Sequence, residues 1–210
     1  MAKKDQHYSS KFPDVHLKVF TISESLRRHL YIFKTTTGIF SFRKIDLGTK
    51  VFIENMTIPQ NPSNLLDLAC GYGPIGMVLV YESPKSEVYF IDSNSRAIWC
   101  VRENIKLNLP DKKEQTYIYT GEYFEPLKNK DIKFDIIYMN PPLRNGRKEF
   151  LNLFNVIPSY LKKNGLFEFV IRKKMGAPYI FDYLSDEFFG DNIKIKCKRS
   201  GFWIFQCFYD

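Results

Sequence analysis

The spacing of apolar positions divides the chain in two. From about residue 14 to 58 the apolar runs are short and strand-like. Val15 to Ile22 and His29 to Lys34 are rich in β-branched and aromatic residues, and Thr36-Thr37-Gly38 reads as a turn into a further short run, Ile39-Phe40-Ser41-Phe42. Asp46-Leu47-Gly48-Thr49 then has the composition of a helix cap ahead of Val51, Phe52 and Met56. From about residue 63 strands and helices alternate. Leu65 to Leu68 predicts a buried strand, Ile75 to Tyr81 a helix and Glu87 to Ile91 a second strand. Ile98, Val101, Ile105 and Leu109 share one face of a helix that begins near Ser95 and ends at Pro110. Thr116 to Thr120 and Phe134 to Met139 predict a third and a fourth strand, the latter buried on both faces. A long helix from Arg147 to Lys163, stopped by Gly165, should lead to a fifth strand at Leu166 to Ile171. Ile193 to Lys198 and Phe202 to Cys207, flanking Arg199-Ser200-Gly201, read as an antiparallel hairpin.

Such alternation predicts a Rossmann-like α/β fold: a mostly parallel seven-stranded sheet with helices on both faces, ending in the antiparallel hairpin. Residues 1–58 are expected to form a small β-rich extension packed on a core of residues 59–210. In open sheets of this kind ligands bind at the carboxyl ends of the strands, so the polar residues that follow each strand are the ones to inspect.

The first of these is Asp67-Leu68-Ala69-Cys70-Gly71-Tyr72-Gly73-Pro74-Ile75-Gly76, which closes one strand and opens a helix. Gly71 and Gly73 permit a tight turn and close approach of a ligand to the backbone. Asp92 ends the next strand, where a carboxylate can accept both ribose hydroxyls of an adenosine-containing cofactor. Gly71-x-Gly73-x-x-Gly76 also satisfies the dinucleotide fingerprint, so a nicotinamide oxidoreductase is a competing reading. Asp67 ahead of the glycines suits the charged amino-acid end of S-adenosylmethionine (SAM). Pro74 removes an N–H that a pyrophosphate would use. SAM is the expected cofactor.

The second is Phe134-Asp135-Ile136-Ile137-Tyr138-Met139-Asn140-Pro141-Pro142, a buried strand ending in a polar residue and two prolines. The prolines stiffen the turn and leave carbonyls free to accept. The Asn140 side-chain oxygen and the Pro141 carbonyl can converge as two acceptors for the two hydrogens of an exocyclic amine. The lone pair of such an amine is delocalised into its ring. Holding both hydrogens aims that lone pair at a methyl donor, a task of positioning rather than of strong base or metal.

Composition adds a partner to this picture. The formal charge is +8, which suits a polyanion, and the hydrophobic fraction of 44% is ample for a packed core. Cys70, Cys100, Cys197 and Cys207 are scattered, and the three histidines lie near the N-terminus, so no metal-ligand spacing exists. Met1 to Lys11 is polar, unlike a secretion signal, and no apolar run approaches the roughly 20 residues of a membrane helix. A cytoplasmic protein with no metal, no membrane contact and no evident obligate protein partner is expected.

These motifs resemble one family: the small-domain methyltransferases related to bacterial enzymes that methylate guanine N2 in 16S ribosomal RNA, with their single-domain archaeal relatives. The resemblance runs through His7-Tyr8-Ser9-Ser10, Thr37-Gly38-Ile39-Phe40-Ser41, Asp67 to Gly76, Asp92, and Asn140-Pro141-Pro142 with Arg144 and Gly146. It continues through Arg172 to Ala177 and Gly201-Phe202-Trp203. It implies a SAM-dependent N-methyltransferase acting on structured RNA, ribosomal or transfer RNA, with guanine N2 favoured. Guanine N7, a protein glutamine amide and NAD-dependent oxidoreduction are the alternatives. By the resemblance Asp67, Cys70, Gly71 and Gly73 surround the methionine part of SAM, and Asp92 holds the ribose. Glu122 stands where an aspartate usually meets adenine, and Asn140 and Pro141 form the catalytic turn, with Asn140 also beside the cofactor and Pro142 and Leu143 beside the substrate. The aromatic residue that often follows Asn-Pro-Pro is here Leu143, so Phe40 is the candidate to stack on the base, beside Pro142. Arg144, Arg147, Lys148, Arg172 and Lys173 are candidates for RNA phosphates.

Overall fold

The computed structural model describes residues 15–143 and 146–210. A hairpin of β1 (Val19–Leu26) and β2 (His29–Thr36) forms a two-stranded antiparallel sheet of its own, followed by α1 (Leu47–Asn55). Asp46 caps α1, its side chain accepting from the Thr49 N–H. Ile39 to Phe42, expected as a further strand-like run, instead turns. Ser41 has φ 54°, and the Thr35 hydroxyl donates to the Phe42 carbonyl, 2.5 Å, closing the segment back on β2.

The main sheet comprises β3 (Asn64–Leu68), β4 (Glu87–Asp92), β5 (Thr116–Thr120), β6 (Phe134–Met139), β7 (Leu161–Arg172), β8 (Ile193–Arg199) and β9 (Phe202–Tyr209). Its order is β5-β4-β3-β6-β7-β9-β8; β3 to β7 run parallel and β9 is antiparallel to both β7 and β8. The seven strands and terminal hairpin are those the alternation predicts. The helices α2 (Pro74–Glu82) and α3 (Ser95–Asn108) connect β3, β4 and β5, and two apolar clusters cover the two faces.

The expected long helix before the fifth strand does not form. α4 spans only Lys148–Asn152 and gives way to 3-10 turns at Leu153–Asn155 and Ile157–Tyr160. Pro158 has no N–H to continue a helix. β7 begins at Leu161, and Gly165, expected as a helix stop, lies inside it. A register shift there pairs Phe134 with Leu161 but Ile136 with Leu166. α5 (Ala177–Leu184) follows β7 and was not foreseen; its Pro178 occupies an early helical position where a missing N–H costs nothing.

Side chains of α3 fasten the β1–β2 hairpin to the core. Asn108 exchanges hydrogen bonds with both the N–H and the carbonyl of Ile32, at 2.9 and 2.8 Å. Asn104 does the same with Lys34, at 2.7 and 3.1 Å. Two amides spaced one helical turn apart thus imitate a neighbouring strand along the β2 edge. Asn104 also donates to the Tyr72 carbonyl at 3.0 Å, reaching the glycine loop.

Candidate active site

The turn after β3 is made by three residues with positive φ: Ala69 at 57°, Gly71 at 58° and Gly73 at 85°. The glycines of this loop do different work. A Cβ on Gly71 would meet nothing within 4 Å, so bare backbone faces open space there. A Cβ on Gly73 would lie 3.2 Å from Val101, and one on Gly76 would collide with the Phe90 ring. The last two glycines therefore allow α2 to pack closely on β4.

Asp67 is fully buried, and its Oδ2 accepts the Gly76 N–H at 2.8 Å. Burial pushes its carboxyl up to about 8; the Gly76 hydrogen bond opposes this and the Asp92 charge adds to it. Its Oδ1 is buried without a partner among the described residues. Asp67 and Gly73, expected around the cofactor's methionine end, lie behind the cavity wall rather than on it. Asp67 also bears on the nicotinamide reading. With Pro74 at the first helical position and the Gly76 N–H taken by a carboxylate, the start of α2 is poorly suited to a pyrophosphate.

Asp92 ends β4 and faces the cavity. Its Oδ2 accepts the Gly71 N–H and its Oδ1 the Asn94 N–H, both at 2.8 Å. Each oxygen retains acceptor capacity for a further donor. Burial raises this carboxyl above its usual range, against the pull of the two N–H groups. Asn94 caps α3 and donates from its amide to the Gly38 carbonyl at 2.8 Å, anchoring the turn that carries Phe40.

On the opposite wall Asn140 follows β6. Its amide nitrogen donates to the Thr49 hydroxyl at 2.8 Å, across 91 residues of sequence. In this arrangement Oδ1 is an acceptor with no partner among the described residues. The Pro141 carbonyl, expected to be free, accepts the Leu143 N–H at 3.0 Å and keeps one lone pair. The same turn draws Leu143 into the core. Nearby, the Tyr123 hydroxyl donates to Glu149 at 2.7 Å, joining the loop after β5 to α4.

These two walls enclose a cavity of about 450 Å³, within the range of small-molecule sites. Of the expected residues, Phe40, Cys70, Gly71, Asp92, Glu122, Asn140, Pro141, Pro142, Leu143 and Arg172 line it. Arg147 does not: its guanidinium stacks 4.5 Å from the Tyr179 ring centroid, against Gly176. Lys148 and Lys173 are exposed and also off the lining, and Arg144 lies outside the described residues, as does His7 to Ser10. Asp46, Thr49, Tyr123, Glu149 and Phe202 also line it, and no sequence motif assigns them to a ligand. A Cβ on Gly48 would come within 2.7 Å of the Phe202 ring, which explains the glycine beside Thr49. Among the described residues no cluster could hold a metal ion and no helix is long and apolar enough to cross a membrane.

An adenosyl group with a charged tail fits this lining: a bare backbone at Gly71, a carboxylate at Asp92 with acceptors to spare, and no anion site at α2. The comparisons agree with that geometry. The family model described as methyltransferase small domain matches residues 30–206. An uncharacterised Bacillus subtilis protein, YbxB, is 32% identical over 96% of this chain and 97% of its own. The ribosomal RNA small subunit methyltransferase C of Buchnera aphidicola is 27% identical over 91% of this chain, which spans 55% of that protein. A solved T. thermophilus 16S rRNA N2 G1207 methyltransferase, in complex with AdoMet and guanosine, superposes with a TM-score of 0.77 at 20% identity. That match covers 93% of this chain and 52% of that one.

Proposed function

The chain belongs to the methyltransferase small domain family and is a SAM-dependent methyltransferase, and from that premise we propose that it methylates an exocyclic base amine, guanine N2, in structured ribosomal or transfer RNA. One observation carries this reading. The Asn140 amide nitrogen donates to the Thr49 hydroxyl and its Oδ1 has no partner among the described residues, on the same cavity as the glycine loop and Asp92. A neutral acceptor pair of Asn140 Oδ1 and the remaining Pro141 lone pair takes the two amine hydrogens. The nitrogen lone pair is thereby turned out of conjugation. Bound SAM supplies the electrophilic methyl group. No strong base is needed, since the nitrogen becomes acidic only once methylated, and the work of the site is orientation.

We assign the ribose hydroxyls to Asp92 and the adenine edge to Glu122. Phe40, on the cavity wall beside Asn94's anchor at Gly38, is our candidate among the lining aromatics to stack on the base in place of the leucine at 143. Arg172 at the rim, with Lys173 and Lys148 on the adjacent surface, supplies phosphate contacts that give affinity without base choice. The two ribosomal RNA methyltransferases described above act on that substrate by their names, and the net charge of +8 suits the same class of partner.

The test is methyl transfer from labelled SAM to RNA lacking its modifications, with SAM affinity measured in parallel. Wild-type protein labels the RNA. Asn140→Ala binds SAM as before but transfers about 100- to 1000-fold more slowly, the range for loss of a preorganised polar contact at a reacting centre. Undiminished transfer by that variant contradicts the assignment. Label in protein rather than RNA would move the acceptor to a glutamine amide.

A further inference from the structure

With Asp67 sealed behind α2, the acidic partner expected for the amino-acid end of SAM is missing from the place where the sequence put it. Four other carboxylates line the cavity: Asp46, Asp92, Glu122 and Glu149. Asp92 and Glu122 end β4 and follow β5, the side assigned to the adenosine. Glu149 lies in α4 and accepts the Tyr123 hydroxyl, whereas Asp46 lies beside Thr49, the residue that meets Asn140. The Asp46 Oδ2 accepts the Thr49 N–H at 3.2 Å, and its Oδ1 has no partner among the described residues.

The position of Asp46 is set by two neighbours. Thr49 joins it to the acceptor turn, because the same residue gives its N–H to Asp46 and takes the Asn140 amide on its hydroxyl. Tyr72 joins it to the glycine loop: after burial, the charge of Asp46 is the next cause that holds the Tyr72 phenol above its ordinary value. Asp46 thus lines the same cavity as Asp92 and Glu122 but is tied to the Asn140 turn through Thr49 and lies within electrostatic reach of Tyr72 in the glycine loop.

Resting on the SAM reading above, we propose that Asp46 binds the α-ammonium of the methionine part of SAM, a role distinct from its capping of α1. A carboxylate and an ammonium in a partly enclosed site form a charge-assisted hydrogen bond. One helix start would then serve three purposes: it caps α1, orients Asn140 through Thr49, and reads the charged tail of the cofactor.

Asparagine caps helices as well as aspartate does, so Asp46→Asn removes the charge while keeping α1. The readout is calorimetric affinity for SAM, for S-adenosylhomocysteine and for 5′-methylthioadenosine, which lacks the amino-acid tail. Asp46→Asn is expected to weaken SAM and S-adenosylhomocysteine by about 10- to 100-fold, the worth of a hydrogen bond to a charged group, and to leave methylthioadenosine within about twofold. Asp46→Ser, which also retains a capping oxygen, should give the same split with an unchanged melting temperature. Unaltered SAM affinity in both variants overturns the proposal, as does an equal loss for methylthioadenosine. Wild-type protein that binds none of the three ligands overturns the SAM reading itself.

Discussion

The cavity wall that follows β3 and β4 is held largely by backbone N–H groups. Backbone N–H groups of Gly71 and Asn94 converge on Asp92, the Gly76 N–H closes on Asp67, and the glycines are spaced by the needs of one turn and one packed helix. The wall that follows β6 is held by contacts between side chains. Asn140 is oriented by Thr49, Phe202 fits against Gly48, and Tyr123 reaches Glu149. The first wall suits an unvarying ligand, because backbone contacts do not depend on which side chains surround them. The second is adjustable: each of its contacts can be changed one side chain at a time, as a wall that chooses among acceptors requires.

Three substitutions probe that contrast, and the first strikes the backbone-built wall. Asp92→Ala deletes the ribose acceptor together with the partner of two loop N–H groups. Affinity for SAM should fall by about 100-fold, toward the upper end for contacts to a charged group, with circular dichroism unchanged. Affinity that survives would mean the adenosine lies elsewhere. On the other wall Thr49→Val keeps shape and removes the hydroxyl that orients Asn140. It should lower the single-turnover rate by about 3- to 10-fold, the net worth of a neutral hydrogen bond, while SAM affinity holds. A parallel loss of both would show that Thr49 supports the cofactor and not the turn.

The smallest effect is one of pH. Burial lifts the Asp67 carboxyl to about 8 in the folded protein, whereas in the unfolded chain it titrates near its ordinary value of about 3.9. Below that lower value both states hold the proton and the contribution to stability is complete. As pH rises toward 8 the unfolded chain has lost the proton that the folded protein keeps, so stability declines, levelling above the folded value. Asp67→Asn abolishes that titration. Denaturation followed across pH 4 to 8 should show a shallower decline in the variant, by up to one proton; identical slopes would mean the carboxylate is ionised in place.

This contrast also explains what could be read in advance. The strand order, the glycine loop, Asp92 at the end of β4 and the Asn-Pro-Pro turn follow from local pattern, because period, turn chemistry and spacing are written in adjacent residues. Asp46 and Thr49 were legible as a helix cap and nothing more. Their place beside Asn140 depends on how α1 settles against the sheet, which no window of sequence contains. Asp67 was misplaced for a related reason: a carboxylate before a glycine loop can face a ligand or the helix it precedes, and the Gly76 N–H decides for the helix. The failed helix after Arg147 reflects Pro158 and the early start of β7, where pairing with β6 prevails over helical spacing. Arg147 shows the same limit on the surface, since its stacking on Tyr179 follows from the unforeseen α5.

The account rests on a pair of neutral acceptors that takes two hydrogens from one nitrogen, and the identity of the methylated nucleoside tests that requirement. Unmodified RNA treated with the protein and labelled SAM, digested and resolved by mass spectrometry, should yield N2-methylguanosine, with its appearance dependent on Asn140. N7-methylguanosine as the sole product would contradict the account, because that ring nitrogen has an exposed lone pair and no hydrogen for Asn140 and Pro141 to hold.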